Sequence, residues 1–167
     1  MATDYAGPAF DRMAAGCDHF DSALPYYPAL LRKGVPMSWM EWYDSLAKPS
    51  WTPEPSTIGL IWQILYAIIL VTFGFVFYKA LRRQLPWQVA VPFAINLVAN
   101  LLFTLIQFGL RNLPLAAFDI LIVWGTILWM IAAVWKHHRW VAVAQFPYLV
   151  WVSIATVLQW TITWWNR

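Results

Sequence analysis

The chain has 167 residues and a formal net charge of +3; 61% of its residues are apolar, 18% aromatic and only 11% charged. A soluble domain carries roughly 25% charged residues, so an ordinary water-soluble fold is excluded, and so small and dispersed a charge leaves no footprint for nucleic acid. The length sets one domain as the prior, and the single cysteine, Cys17, excludes an internal disulfide.

Residues 1–40 form a polar N-terminal tail, with Asp4, Asp11, Asp18 and Asp21 partly balanced by Arg12, Arg32 and Lys33. Its longest apolar run, "ALPYYPALL", is broken by two prolines and does not fit a signal peptide. The expectation is a loosely structured tail or one docked on a partner. The next stretch, "EWYDSLAKPSWTPEPS", holds Pro49, Pro53 and Pro55 together with Trp42 and Trp51. Each proline fixes its own φ and holds its predecessor extended, so a stiff loop is expected over 41–56. Ser56 or Thr57 is placed to cap the helix that follows.

Four apolar runs come next, near 57–79, 87–109, 114–135 and 141–165. Each reaches the roughly 20 residues a bilayer-spanning helix needs. None alternates polar and apolar residues as a barrel strand would, and none has the charged outer face of a soluble bundle helix. The fold class is therefore an all-α integral membrane protein embedded in a lipid bilayer, with four transmembrane helices. Short links predict antiparallel neighbours in an up-down bundle, and Pro92 and Pro147 predict kinks in the second and fourth helices. Ala90 and Ala94 give the second helix a small-xxx-small pair suited to a homodimer contact. Lys79, Arg82, Arg83, Lys136 and Arg139 gather in the first and third links, against Lys48, Arg111 and Arg167 on the other side. The positive-inside rule then places those two links in the cytoplasm and both termini opposite.

Eight tryptophans (39, 42, 51, 87, 135, 140, 164 and 165) fall at or just outside helix ends, where an interfacial belt is expected. Trp62, Trp124, Trp129, Trp151 and Trp160 lie inside helices and need another account. Polar groups also enter the spans. Asn96, Asn100, Thr104 and Gln107 follow one stripe of the second helix; Asp119 lies a turn into the third. Tyr148, Trp151, Ala155 and Gln159 share a face of the fourth, and the first contributes Trp62, Gln63 and Tyr66. At about 1.5 Å per residue, Trp62 and Asp119 lie roughly 7 Å below the stiff loop, Gln159 roughly 9 Å, Asn100 roughly 13 Å and Trp151 roughly 21 Å. Singly, such amides are more often glue between helices. Together, at overlapping depth under a proline-stiffened cover, they have the make-up of an apolar pocket with a few orienting polar groups. His137 and His138 stand on a basic link without the spacing of a metal site. Gly-rich phosphate loops, Cys/His clusters and Ser-His-Asp sets are absent, and no general acid or base is evident apart from Asp119. No catalytic residue and no required cofactor follows.

The segments "WYDSLAKPSWTP", "IWQILY", "NLVANLLF", "FPYLVWVSIATVLQW" and the terminal "WN" occur in this order over about residues 41–166. In this the chain resembles the tryptophan-rich sensory protein/translocator protein (TspO) family. The resemblance implies a five-helix membrane bundle, often dimeric, that binds porphyrins and in some members cholesterol or benzodiazepine-type ligands; some bacterial members promote light-dependent porphyrin breakdown. It implies ligand contacts at Trp62 and Asn100, an aromatic partner of Trp62 at Trp151, a small wall residue at Ala155, and a covering loop with Tyr43 and Trp51, to which Pro53 belongs. Three departures stand out. Glu54 replaces the second proline of the family's loop, Gln159 stands where the family usually has asparagine, and residues 1–40 do not make the helix that precedes "WY" in the family. A four-helix bundle lacking that first helix exposes one flank, to be covered by the tail or by a partner unless the pocket is degraded.

The expected function is a membrane binding protein for a porphyrin- or haem-type tetrapyrrole or another hydrophobic small molecule. Its expected ligand contacts are Trp62, Asn100, Trp151, Ala155, Tyr66, Asp119, Gln159 and Tyr148, under a lid of Tyr43, Trp51 and Pro53. The alternative is a structural subunit of a larger membrane complex, docking through its tail and vacant flank; an enzyme degrading porphyrin in light ranks below both.

Overall fold

The computed structural model describes residues 38–167, which are helical throughout apart from links. In chain order they form α1 (Trp39–Ser45), α2 (Pro55–Leu81), α3 (Trp87–Thr104) running into a π-helical turn (Leu105–Gly109), α4 (Leu113–Val134), α5 (Arg139–Ala144) and α6 (Phe146–Trp165). Four stretches are long and apolar enough to cross a membrane: Pro55–Leu81, Trp87–Gly109, Leu113–Val134 and Arg139–Trp165. They coincide with the four apolar runs to within a few residues. Of the polar tail expected over residues 1–40, residues 1–37 lie outside those described, as does the question of what replaces a preceding helix, while Trp39 and Met40 already belong to α1.

Apolar side chains fill the bundle's interior: Val76, Ala80, Phe93, Ala116, Ile127, Met130 and Val134 are fully buried. The opposite faces carry exposed Leu70, Val71, Leu101, Phe118 and Val157, the arrangement expected when lipid tails, not water, meet the outside. Contacts are densest between α3 and α4 and between α4 and α6, whereas α2 packs mainly on α3 and α5. Its grip is concentrated in its second half. Phe73 meets Phe93 edge-on at 5.0 Å, Phe75 meets Trp140 at 4.9 Å, and Gln145 Nε2 donates to Thr72 Oγ1 at 3.0 Å.

Three local expectations are corrected. The stretch 41–56 is not all loop, because residues up to Ser45 belong to α1. Neither Ser56 nor Thr57 caps α2; Glu54 is the N-cap without a side-chain bond, and Pro55 occupies the first turn, where its fixed φ suits the helix and its missing N–H costs nothing. The fourth span is two helices, broken at Gln145, two residues before Pro147; a proline cannot bond back and crowds the preceding turn. By contrast α3 continues unbroken through Pro92. The π turn was not expected at all. It closes with Leu110 N–H donating to Leu105 O at 2.8 Å, one residue wider than an α-turn. After Arg111 the chain re-enters a helix, with Asn112 Oδ1 accepting from Leu115 N–H at 3.0 Å.

The end of α2 carries backbone strain. Gln84 N–H donates to Lys79 O and Arg83 N–H to Ala80 O, both at 2.9 Å, a Schellman closure with Arg83 at φ 56°. Glycine normally holds that position, and an L side chain there costs about 1 kcal/mol. Arg83→Gly is therefore expected to raise the melting temperature in detergent by about 2–4 °C; an unchanged or lower value would show that Arg83 makes compensating contacts.

Candidate functional site

Because α2 is pinned through its second half, its first half borders a cavity of about 370 Å³ shared with α3, the π turn, α4 and α6. The volume lies at the lower end of the range for ligand pockets. The walls are Ile58, Gly59, Trp62 and Tyr66 from α2; Asn100, Phe103, Thr104, Gln107 and Phe108 from α3 and its π turn; Ile120 and Val123 from α4; and Trp151, Ala155 and Gln159 among others from α6. Trp39, Tyr43, Pro53 and Pro55 form the cover. Among the described residues no Asp, Glu, Lys, Arg or His lines it. It is not sealed, since Trp39, Tyr66 and Ile154 remain exposed.

Behind the cavity lies a chain of buried hydrogen bonds. Tyr66 Oη donates to Asn100 Oδ1 at 3.1 Å, and Asn100 Nδ2 donates to Tyr148 Oη at 2.8 Å. Tyr148 Oη in turn donates to Asn96 Oδ1 at 3.1 Å, and Asn96 Nδ2 reaches Thr126 Oγ1 at 2.8 Å and Val123 O at 3.0 Å. The network joins all four spans. It fixes the Asn100 amide plane and leaves that residue one N–H with no partner among the described residues. The Trp62 ring stacks on Tyr66 at 5.4 Å and meets the Tyr148 ring edge-on at 6.3 Å, so its indole is held at the wall.

At the covered end, Gln159 Nε2 donates to Gln107 Oε1 at 3.1 Å and to Thr163 Oγ1 at 3.4 Å. The π turn carries both Gln107, buried at the wall, and Phe108, whose ring meets Trp39 at 5.5 Å and Tyr43 at 5.9 Å in the cover. The cover is anchored twice more. Trp42 and Leu46 pack on Leu113, Leu158 and Ile162; and Asn166 clamps Ala47, its Oδ1 accepting from the Ala47 N–H and its Nδ2 donating to the Ala47 carbonyl, each at 2.9 Å. Lys48 Nζ lies 4.3 Å from the Tyr43 ring centroid and pairs with Asp44 at 3.3 Å. Burial, and secondarily the Asp44 carboxylate, raises the Tyr43 phenol above its usual pKa, so it stays neutral.

Of the residues expected at a site, Trp62, Tyr66, Asn100, Trp151, Ala155, Gln159, Tyr43 and Pro53 line this one cavity. Three do not. Tyr148 is fully buried behind Asn100 and acts through it. Asp119 is buried at 6% exposure off the wall, and its Oδ2 has no partner among the described residues. Trp51 sits in the exposed turn closed by Thr52 N–H on Pro49 O. Gln107, already on the polar stripe of α3, and Phe103, Phe108 and Trp39 join the site. The indole Nε1 of Trp151 is buried and has no partner among the described residues. Among the other inner tryptophans, Trp124 Nε1 donates to Ser153 Oγ at 2.9 Å, Trp160 packs against Phe118, and Trp129 is exposed on the bundle's outside. Among the described residues no group of three His, Cys, Asp or Glu could hold a metal ion.

Comparison with known proteins gives a match to the TspO/MBR family over residues 23–165. The chain is 36% identical over 122 residues to the tryptophan-rich protein TspO of Bacillus cereus, covering 72% of this chain and 78% of that one. It is 36% identical over 126 residues to the Bacillus subtilis membrane protein YtaB, covering 75% and 81%. It is also 29% identical over 95 residues to a tryptophan-rich sensory protein of Cereibacter sphaeroides, covering 57% and 56%.

The hydroxyl of Tyr148 is the hinge of the buried network, so Tyr148→Phe is the informative substitution. It strands Asn100 Nδ2 and Asn96 Oδ1, and a loss of about 1–2 kcal/mol is expected, read as a lower melting temperature. An unchanged temperature would mean that the amides find other partners.

Proposed function

The chain belongs to the TspO/MBR family of membrane proteins, and on that premise we propose that it binds a porphyrin-type or related tetrapyrrole ligand within the bilayer, as a sensor, carrier or scavenger. The observation that carries this reading is the meeting of Trp62, Trp151 and the Asn100 amide on one largely apolar cavity. Flat aromatic ligands gain from offset or edge contacts with indoles, and the unspent Asn100 N–H supplies one orienting bond. A macrocycle fills the space between α2 and α6, and its edge extends past the exposed Tyr66 and Trp39. The uncharged walls keep ionised side groups out of the interior, toward the cover where Lys48 stands. The resident relative from Cereibacter sphaeroides is named a sensory protein, which accords with a binding role.

Titration of the purified protein with protoporphyrin IX is expected to quench tryptophan fluorescence saturably, and Trp62→Ala/Trp151→Ala to weaken the affinity at least about tenfold. Absence of quenching, or equal affinity in the double variant, would overturn the proposal.

The proposed orientation puts the two basic links, residues 82–86 and 135–138, in the cytoplasm and the covered mouth on the opposite side. In a Cys17→Ser background, an impermeant maleimide applied to intact cells is expected to label Arg167→Cys and to spare His137→Cys; the reverse pattern would invert the topology.

A further inference from the structure

We propose that the Gln107–Gln159 pair is a specificity-determining site for a ligand edge on which an N–H and a C=O stand side by side, the cis-amide of a lactam. The proposal rests on the tetrapyrrole reading and narrows it, because opened, lactam-ended tetrapyrroles carry such an edge and closed porphyrins do not.

A glutamine amide offers two N–H donors and a carbonyl with two lone pairs. Gln159 Nε2 spends its N–H groups on Gln107 Oε1 and Thr163 Oγ1. Thr163 Oγ1 is itself committed, donating toward Gln159 O at 2.8 Å and Leu113 O at 3.2 Å. Among the described residues nothing meets Gln107 Nε2 or Gln159 Oε1. Both residues line the cavity, at 1% and 5% exposure, so these atoms belong to a buried wall and not to the lipid face. Turning over both amide planes exchanges the roles of the two residues, and the pair still retains one NH₂ donor and one C=O acceptor.

A buried wall that offers a donor and an acceptor together selects its complement. A carboxylate has acceptors only: it satisfies the amide N–H but sets oxygen against the remaining carbonyl, and among the described residues no cationic side chain lines the cavity to balance its charge. A lactam satisfies both atoms and brings no charge. The π turn matters here, since it carries Gln107 on the wall and Phe108 under the cover within two consecutive residues.

The test uses three probes on the full chain in detergent: biliverdin dimethyl ester, with lactams and no free carboxylate; protoporphyrin IX dimethyl ester, with neither; and protoporphyrin IX, with carboxylates alone. Gln107→Leu, Gln159→Leu and the size-conserving Gln107→Glu are expected to weaken the biliverdin ester at least about tenfold. The same variants should weaken the porphyrin ester clearly less than the biliverdin ester, and the melting temperature of each variant reports that it is folded. Equal weakening of all probes, or an unchanged biliverdin ester affinity, overturns the lactam assignment; selective weakening of free protoporphyrin IX overturns it in favour of a carboxylate subsite. Binding of none of the probes to the parent chain overturns the tetrapyrrole reading and this inference together, whereas binding of the porphyrins alone overturns only the inference.

Discussion

The hydroxyl of Tyr148 is the contact on which the arrangement turns. It accepts from Asn100 and donates to Asn96 with no exposure to the surroundings. In a bilayer a polar atom has no water to fall back on, so amides within the spans must find each other. The stripe on α3 obliges α6 to present a hydroxyl at that depth, α4 to present Thr126 and a backbone carbonyl, and α2 to present Tyr66. Apolar side chains alone do not fix helix register in lipid, since tails are as apolar as leucine. The hydrogen-bond chain supplies that register, and the Asn100 amide plane is set as a consequence.

The cavity follows from a mismatch in how α2 is held. Aromatic contacts at Phe73 and Phe75 and the Gln145–Thr72 bond tie its second half to the bundle. Its first half is tied through Tyr66 and the Trp62–Tyr148 ring contact, and between it and α6 lies the cavity. The cover closes the end of that wedge through separate anchors: Phe108 on the π turn, the small cluster around Leu158 and Ile162, and the Asn166 clamp on Ala47. A lid on several supports stands over a chamber lined, among the described residues, by uncharged side chains, which leaves polar recognition to a few amides.

Most of this was legible in the sequence, for definable reasons. The spans announce themselves because a bilayer sets their length, and Trp62, Asn100, Trp151, Ala155 and Gln159 were found together because helical spacing and depth are both linear in residue number. Asp119 was named for its depth and Tyr148 for its helical face, but neither depth nor spacing says which way a side chain points. Tyr148 faces the amides behind the wall, and Asp119 is buried off the wall altogether. Trp51 lies in a turn whose direction depends on Pro49 and Thr52, which periodicity cannot read. The π turn was invisible, because one extra residue in a helix has no compositional mark, and with it the roles of Gln107 and Phe108 stayed hidden. The break at Gln145 and the continuity through Pro92 show the same limit: proline marks a position of weakness, and packing decides whether the helix parts there.

The central claim is that an accessible chamber lies inside the bundle between α2 and α6. Its most direct test places single cysteines in a Cys17→Ser background, one at Ala155 on the cavity wall and one at Val157 on the outer face of the same helix. The account predicts that a small membrane-permeant thiol reagent modifies both, and that protoporphyrin IX slows the reaction at position 155 while leaving position 157 untouched. A cysteine at 155 that never reacts, or protection that is equal at the two positions, would contradict it.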